Sequence, residues 1–297
     1  MPRPFRSRWA WLGALLWLLN SQPSAACTLW GAAGESVEGG GTLIAKNRDW
    51  APDHLQELII LRPAEGYGSL ALRAVEGGEP GIKAGVNEKG LVIVSATVSQ
   101  VPRIKRKAVQ QKKELMSRFL ATCASVDEVL KKVDWLRRPV FYLVGDRKEL
   151  ALIEVAPEGR RSVRRQDSGT LHHTNHYCAI DSYDAKRNPG VSSTQRYTRM
   201  GELLQNPTQP FVVENFIRFS EDQAAGPDNS IWRTGSGPTR KRTLATWIVS
   251  VPVSGSPRLY LKTANPGEPE QVCRISVAEA LSINGRDRIP LDSELCR

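Results

Sequence analysis

Ala25-Ala26-Cys27-Thr28-Leu29-Trp30, followed by Gly39-Gly40-Gly41-Thr42-Leu43-Ile44-Ala45-Lys46-Asn47-Arg48-Asp49-Trp50, is the stretch on which the rest of the chain turns. Cys27–Trp30 and Thr42–Arg48 are short β-rich runs. Between them, Glu35–Gly41 ends in three glycines and supplies a turn in which positive φ is tolerated. An antiparallel hairpin centred on residue 38 sets Cys27 beside Asp49. Upstream, Arg3, Arg6 and Arg8 precede the apolar run Trp9–Leu19, and Asn20–Ala26 closes in Ser24-Ala25-Ala26. That is the pattern of a cleaved signal peptide over residues 1–26. Cys27 then becomes the first mature residue and carries a thiol and a free α-amine, a nucleophile with its own base.

The leader's apolar run is short for a membrane span, and no later segment approaches the ~20 apolar residues that a span needs. The expected location is therefore periplasmic or secreted. A lipoprotein would also mature at a cysteine, but its signal carries an apolar residue three places earlier, where Ser24 stands, so lipid anchoring is the less favoured reading. The chain of 297 residues has a net charge of +10, with basic residues spread along it and one cluster at Arg103, Lys105, Arg106, Lys107, Lys112 and Lys113. No aromatic residues alternate with this cluster, so it reads as a solvated loop and not as a nucleic-acid surface. Five cysteines, at 27, 123, 178, 273 and 296, leave one thiol over. With Cys27 free, three connectivities remain open for the other four. Cys273–Cys296, stapling the C-terminal tail, together with Cys123–Cys178 is the working expectation.

Beyond the hairpin, Glu57–Arg62, Ser69–Val75, Ile82–Val86 and Leu91–Val98 read as strands, the last buried on both faces. Lys112–Cys123 and Ser125–Trp135 have helical spacing, the second with a capping-box start. Strands return at Val140–Val144 and Leu150–Val155, with Arg160–Arg165 as an edge and His172–Cys178 as a further strand or strand end. Helices follow at Ser192–Leu204 and Val212–Phe219, and strands Arg242–Val251 and Arg258–Lys262 close the pattern. Strand blocks interrupted by helix blocks describe an α+β fold of antiparallel sheets with helices outside. With no repeat or long linker, residues 27–297 read as one domain.

Phosphate-binding, dinucleotide, zinc-protease and serine-elbow motifs are missing. What remains is Cys27-Thr28, Lys46-Asn47-Arg48-Asp49-Trp50, Gly85-Val86-Asn87-Glu88-Lys89-Gly90-Leu91, Thr174-Asn175-His176-Tyr177 and Ser192-Ser193-x-x-Arg196. These boxes, in this order, resemble the N-terminal-nucleophile (Ntn) hydrolases of linear amides, which include choloylglycine hydrolase, penicillin V acylase, acid ceramidase and isopenicillin N acyltransferase. The Thr-Asn-His-Tyr form is most similar to the branch of isopenicillin N acyltransferase and carcinine hydrolase. The resemblance implies a four-layer αββα sandwich with two antiparallel sheets. It also implies cysteine-dependent hydrolysis, or acyl transfer, of a small-molecule amide without a cofactor.

On this resemblance Cys27 attacks an amide carbonyl, and its α-amine, with an ordinary pKa of about 7.7–8.0, accepts the thiol proton. Asp49 accepts a hydrogen bond from that amine or thiol. Asn175 donates to the oxyanion, with Thr97 as a second candidate through its backbone N–H. Arg196, in the first turn of a helix, favours the thiolate and bonds Asp49. Trp30 and Trp50 flank the cysteine as candidate substrate contacts. Lys46 departs from the arginine that the bile-salt and ceramide branches carry there. His172, His173 and His176 invite a metal reading, but apart from Cys178 no acidic or cysteine partner stands at a favourable spacing, so no metal site is assigned. A lipid-anchored protein, or a binding protein on a catalytically inactive scaffold, would share the leader and the cysteine.

Overall fold

A computed structural model describes residues 26–75, 80–181, 188–205 and 210–296. The expected leader lies outside them except for Ala26. Strands occupy β1 (Ala26–Ala33), β2 (Thr42–Trp50), β3 (Gln56–Leu61), β4 (Ser69–Ala74), β5 (Gly81–Asn87), β6 (Val92–Ala96), β7 (Val140–Gly145), β8 (Leu150–Val155), β9 (Arg161–Gln166), β10 (Gly169–His173), β11 (Arg242–Val251), β12 (Arg258–Thr263), β13 (Gln271–Ser276) and β14 (Arg288–Ile289). They form two sheets, with strand orders β10-β1-β2-β11-β12-β13 and β14-β3-β4-β5-β6-β7-β8-β9. Every strand pairing in both sheets is antiparallel.

Three apolar clusters define four layers. The central one joins the facing sides of the sheets, with Leu29, Ile44, Trp247 and Leu261 meeting Leu58, Leu70, Val94 and Leu143. On the outer side of the eight-stranded sheet, α2 (Leu115–Thr122) and α3 (Val126–Leu130) bury Leu115, Phe119, Val126 and Val129 against Ile93, Val144 and Ile153. On the outer side of the six-stranded sheet, α4 (Val191–Gln205) and α5 (Val213–Ser220) bury Met200, Leu204, Phe216 and Phe219 against Trp30, Leu43 and Ile248. The fold is therefore the αββα sandwich that the resemblance implied. Both sheets are covered on each face, which is why β1 and β8 are buried at every position, Thr28 and Glu154 included.

The hairpin forms, but in a different register. Ala33 pairs with Thr42, and the pairing carries Cys27 to Arg48 and Ala26 to Asp49. The turn that sets this register uses the 3-10 segment Gly34–Ser36 and the glycines after it. Gly41, at φ +81°, brings its backbone so close to the next strand that a Cβ would sit 2.2 Å from the Val251 carbonyl oxygen. Because side chains alternate, one step decides the face: Cys27, Leu29 and Ile44 point between the sheets, while Trp30, Leu43 and Ala45 point to the helical layer.

Other segments depart from the sequence reading. The basic cluster begins with a short helix, α1 (Arg103–Ala108), in which Arg106 is buried. His172–Cys178, expected as a strand or a strand end, is the latter: β10 ends at His173. The Glu154 carboxylate on β8 then accepts the backbone N–H groups of Cys178, Ala179 and Ile180 and draws the chain off the sheet. A disulfide joins Cys273 to Cys296, as expected. Cys123 and Cys178 are not bonded to each other: Cys123 is buried under α2 and Cys178 is exposed. Among the described residues no helix is long and apolar enough to cross a membrane.

Candidate active site

β1 and β2 end together at a cavity of about 510 Å³, lined by Cys27, Lys46, Arg48, Asp49, Trp50 and Thr97 among others. Cys27 enters it because β1 runs to the rim of the six-stranded sheet with its thiol on the side facing the other sheet. The far wall comes from β5, β6, β7 and the segment between α1 and α2.

The backbone nitrogen of Cys27 donates to Oδ1 of Asn175 at 2.9 Å. The same oxygen accepts from Nη2 of Arg196 at 2.8 Å, while Nδ2 of Asn175 donates to the Thr97 carbonyl at 2.8 Å. These partners fix which way round the amide lies, since reversing it would turn the NH2 toward a guanidinium and another N–H. Asn175 is held further through its backbone. Its N–H donates to Oγ of Ser193 at 2.9 Å, and its carbonyl accepts from N and Oγ of Ser99. The side chain is thereby pinned between the end of β10 in one sheet and the loop after β6 in the other.

Arg196, on the first turns of α4, is buried and spends Nη1 on the Cys27 carbonyl at 2.6 Å and on Thr28 Oγ1 at 3.0 Å. Burial pulls its pKa down to about 10, with the Asp49 charge acting in the opposite sense. The anticipated hydrogen bond from Arg196 to Asp49 is replaced by these contacts with the start of β1. Asp49 projects to the face opposite the thiol. Its Oδ1 accepts from Thr243 Oγ1 at 2.8 Å, and its Oδ2 lies 3.8 Å from Arg233 Nη1 with no hydrogen-bond partner. Burial raises its pKa, opposed by Arg233, Arg196 and Thr243. Its neighbour across the hairpin is Ala26, and it does not bond Cys27.

Lys46 shares the face of Cys27. Its Nζ donates to the carbonyls of Lys83 at 2.8 Å and Ser95 at 2.6 Å. Burial lowers its pKa to about 8, against the pull of Cys27. Trp50 lines the cavity and stacks on His54 at 5.0 Å. Trp30 does not reach it: fully buried on the other face, it packs on Phe216 at 6.0 Å, as core. Arg199 is a surface residue paired with Asp222 and Glu202.

The three histidines are used separately. His172 packs on Tyr197, and burial pushes it down to about 4. His173 bonds Glu154 at 2.9 Å, and His176 Nδ1 bonds Ser193 Oγ at 2.8 Å. Ser99, Ser193, Arg233 and Thr243 are contributors that the sequence reading did not assign. Ser193 lay inside a quoted box, but its role needs the approach of α4 to β10. Thr243 stands at a bulge between β2 and β11, for which the sequence gives no signal.

A family model described as acyl-coenzyme A:6-aminopenicillanic acid acyl-transferase matches residues 36–266. No curated protein matches the chain. Solved structures do. A mutant of conjugated bile acid hydrolase from Clostridium perfringens is 13% identical, with 89% of this chain and 96% of that one covered, at a TM-score of 0.61. A second variant of that hydrolase is 14% identical, covering 88% and 96%, with a TM-score of 0.54. The Caenorhabditis elegans ortholog of N-acylethanolamine-hydrolyzing acid amidase is 13% identical, covering 77% and 94%, with a TM-score of 0.52.

Proposed function

Because the chain belongs to the acyl-coenzyme A:6-aminopenicillanic acid acyl-transferase family of Ntn enzymes, we propose that it is an exported amide hydrolase or acyltransferase that works through an acyl-enzyme on Cys27. The observation that carries this reading is the seat of the Cys27 nitrogen, which donates to Asn175 Oδ1 beside Arg196 at the rim of the cavity. Cleavage after Ala26 turns that nitrogen into an α-amine without moving it from its acceptor. Oδ2 of Asp49, across the hairpin from Ala26, faces Arg233 at 3.8 Å but accepts no hydrogen bond, so it is free to accept one from the new terminus. The unused lone pair of the neutral amine takes the thiol proton as Sγ attacks the amide carbonyl.

The Asn175 amide has two N–H bonds and spends one on Thr97, a residue that lines the cavity, so the other is available to the oxyanion. The leaving amine takes its proton back from the α-ammonium. Water, or a second amine, then releases the acyl group and restores the thiol. The cavity volume suits a small-molecule amide, and Trp50 supplies an aromatic wall for it. Bile acid hydrolase and N-acylethanolamine-hydrolyzing acid amidase are named for amide-bearing substrates of two kinds, which supports the reaction class and leaves the acyl group unspecified.

Intact mass and N-terminal sequencing of the exported protein test the premise. A chain that begins at an unmodified Cys27 is the expected result. A different terminus, or a lipid on Cys27, would sink the mechanism and leave an anchored protein. With the terminus established, Cys27→Ala should fold normally and lose acyl-enzyme formation in a quenched mass-spectrometric trap with an amide panel.

A further inference from the structure

A second nucleophilic cluster lies on the far side of the segment that carries Asn175. The ligand atoms of Glu154, His173 and Cys178 lie within 4.8 Å of one another, and Cys178 is exposed. Glu154 Oε1 accepts from Nε2 of His173 at 2.9 Å and from the backbone N–H groups of Cys178 and Ala179; Oε2 accepts from Ala179 and Ile180. A carboxylate in such a nest of amides is ionised, so Nε2 is a donor. Nδ1 of His173 faces the Thr174 carbonyl at 3.1 Å, which accepts only, so Nδ1 is a donor as well. His173 is therefore an imidazolium, and it has no lone pair left for a metal ion. What the cluster provides is a fixed positive ring beside the sulfur of an exposed cysteine, whose Sγ contacts the His176 carbonyl at 3.7 Å and whose backbone is tied down by three successive amides.

We propose that Cys178 is a second reactive thiol of this protein, a site of reversible S-thiolation by low-molecular-weight disulfides. The other groups that face it are His176 on the same segment and Tyr197 on α4, with Arg164 of β9 near Tyr197. Partial burial would push the thiol up, but His173 and His176 beside it bring its pKa down to about 6. The thiol proton leaves to solvent. The thiolate then attacks one sulfur of R–S–S–R, a new sulfur–sulfur bond forms as the old one breaks, and R–S⁻ departs and takes a proton. No net oxidation is required, and a small thiol reverses the step. The proposal is independent of the amide chemistry at Cys27.

The test uses the full mature chain carrying Cys27→Ala, so that the cavity thiol does not compete. It is incubated with excess oxidised glutathione and digested, and the cysteine peptides are weighed. In parallel, iodoacetamide labelling is followed against pH for native and urea-unfolded protein. The expected result is a glutathionyl adduct on Cys178, removed by dithiothreitol, with buried Cys123 unmodified. The native labelling midpoint should fall near 6, against about 8.5 in the unfolded chain. His173→Gln should slow Cys178 labelling at pH 6.5 by roughly tenfold or more. If that variant does not fold, the comparison of native with unfolded protein decides alone. An unmodified Cys178, or coincident native and unfolded profiles, would overturn the proposal.

Discussion

At Asn175 one side chain has every polar atom committed: Oδ1 to the Cys27 nitrogen and Arg196, Nδ2 to Thr97, with Ser193 and Ser99 on its backbone. If the remaining N–H serves the oxyanion, Asn175→Ala lowers kcat by about 10²–10³-fold with a small change in KM. Steady-state kinetics on any accepted amide would check this. An equal rise in KM with kcat unchanged would instead make Asn175 a binding residue. Ionisation of His173 makes a separate prediction. Burial alone would lower its pKa, but Cys178 and Glu154 raise it from 6.5 to about 9. Its stabilisation is therefore complete below about 6.5 and is lost as pH rises through 9. Urea midpoints should fall across that window for the native chain, and His173→Gln should be less stable at pH 6.5 yet flatter above it.

The β1–β2 hairpin has one face in the central core and the cavity and the other under α4 and α5, so its two tryptophans should behave oppositely. Trp30→Ala removes a buried side chain and should cost about 3–5 kcal/mol in denaturant unfolding while KM stays constant. Trp50→Ala should shift KM and leave stability within about 1 kcal/mol. This pair also shows what the sequence could reveal. Three glycines between two β-rich runs made the hairpin legible. The face of each side chain was not, because it depends on a register step that the turn decides through the contact of Gly41 with Val251. β13 is legible in hindsight, since Val272 and Arg274 face solvent while Cys273 and Ile275 are buried. α1 was hidden because Arg103–Ala108 has no apolar period. Cys27, Asn175 and Arg196 lie on separate elements far apart in sequence. No local pattern brings them together, and it was the similarity of their motifs to a family that grouped them.

Across the whole molecule, the Cys273–Cys296 bond closes a loop of 23 residues and holds the C-terminal segment against β13. Replacing both cysteines by serine should cost about 3 kcal/mol and lower Tm by roughly 5–10 °C in calorimetry. Initial rates well below that transition should be unchanged, since the bond is remote from the cavity. The Asn175–Thr97 hydrogen bond acts at the same scale, because one partner follows β10 of the six-stranded sheet and the other follows β6 of the eight-stranded sheet. The candidate site is thus a rivet between two plates, and its alignment is set by their separation. On the proposed function, a ligand or pressure that changes the gap would tune turnover while every strand stayed paired, and turnover would then gauge how tightly the sandwich is closed.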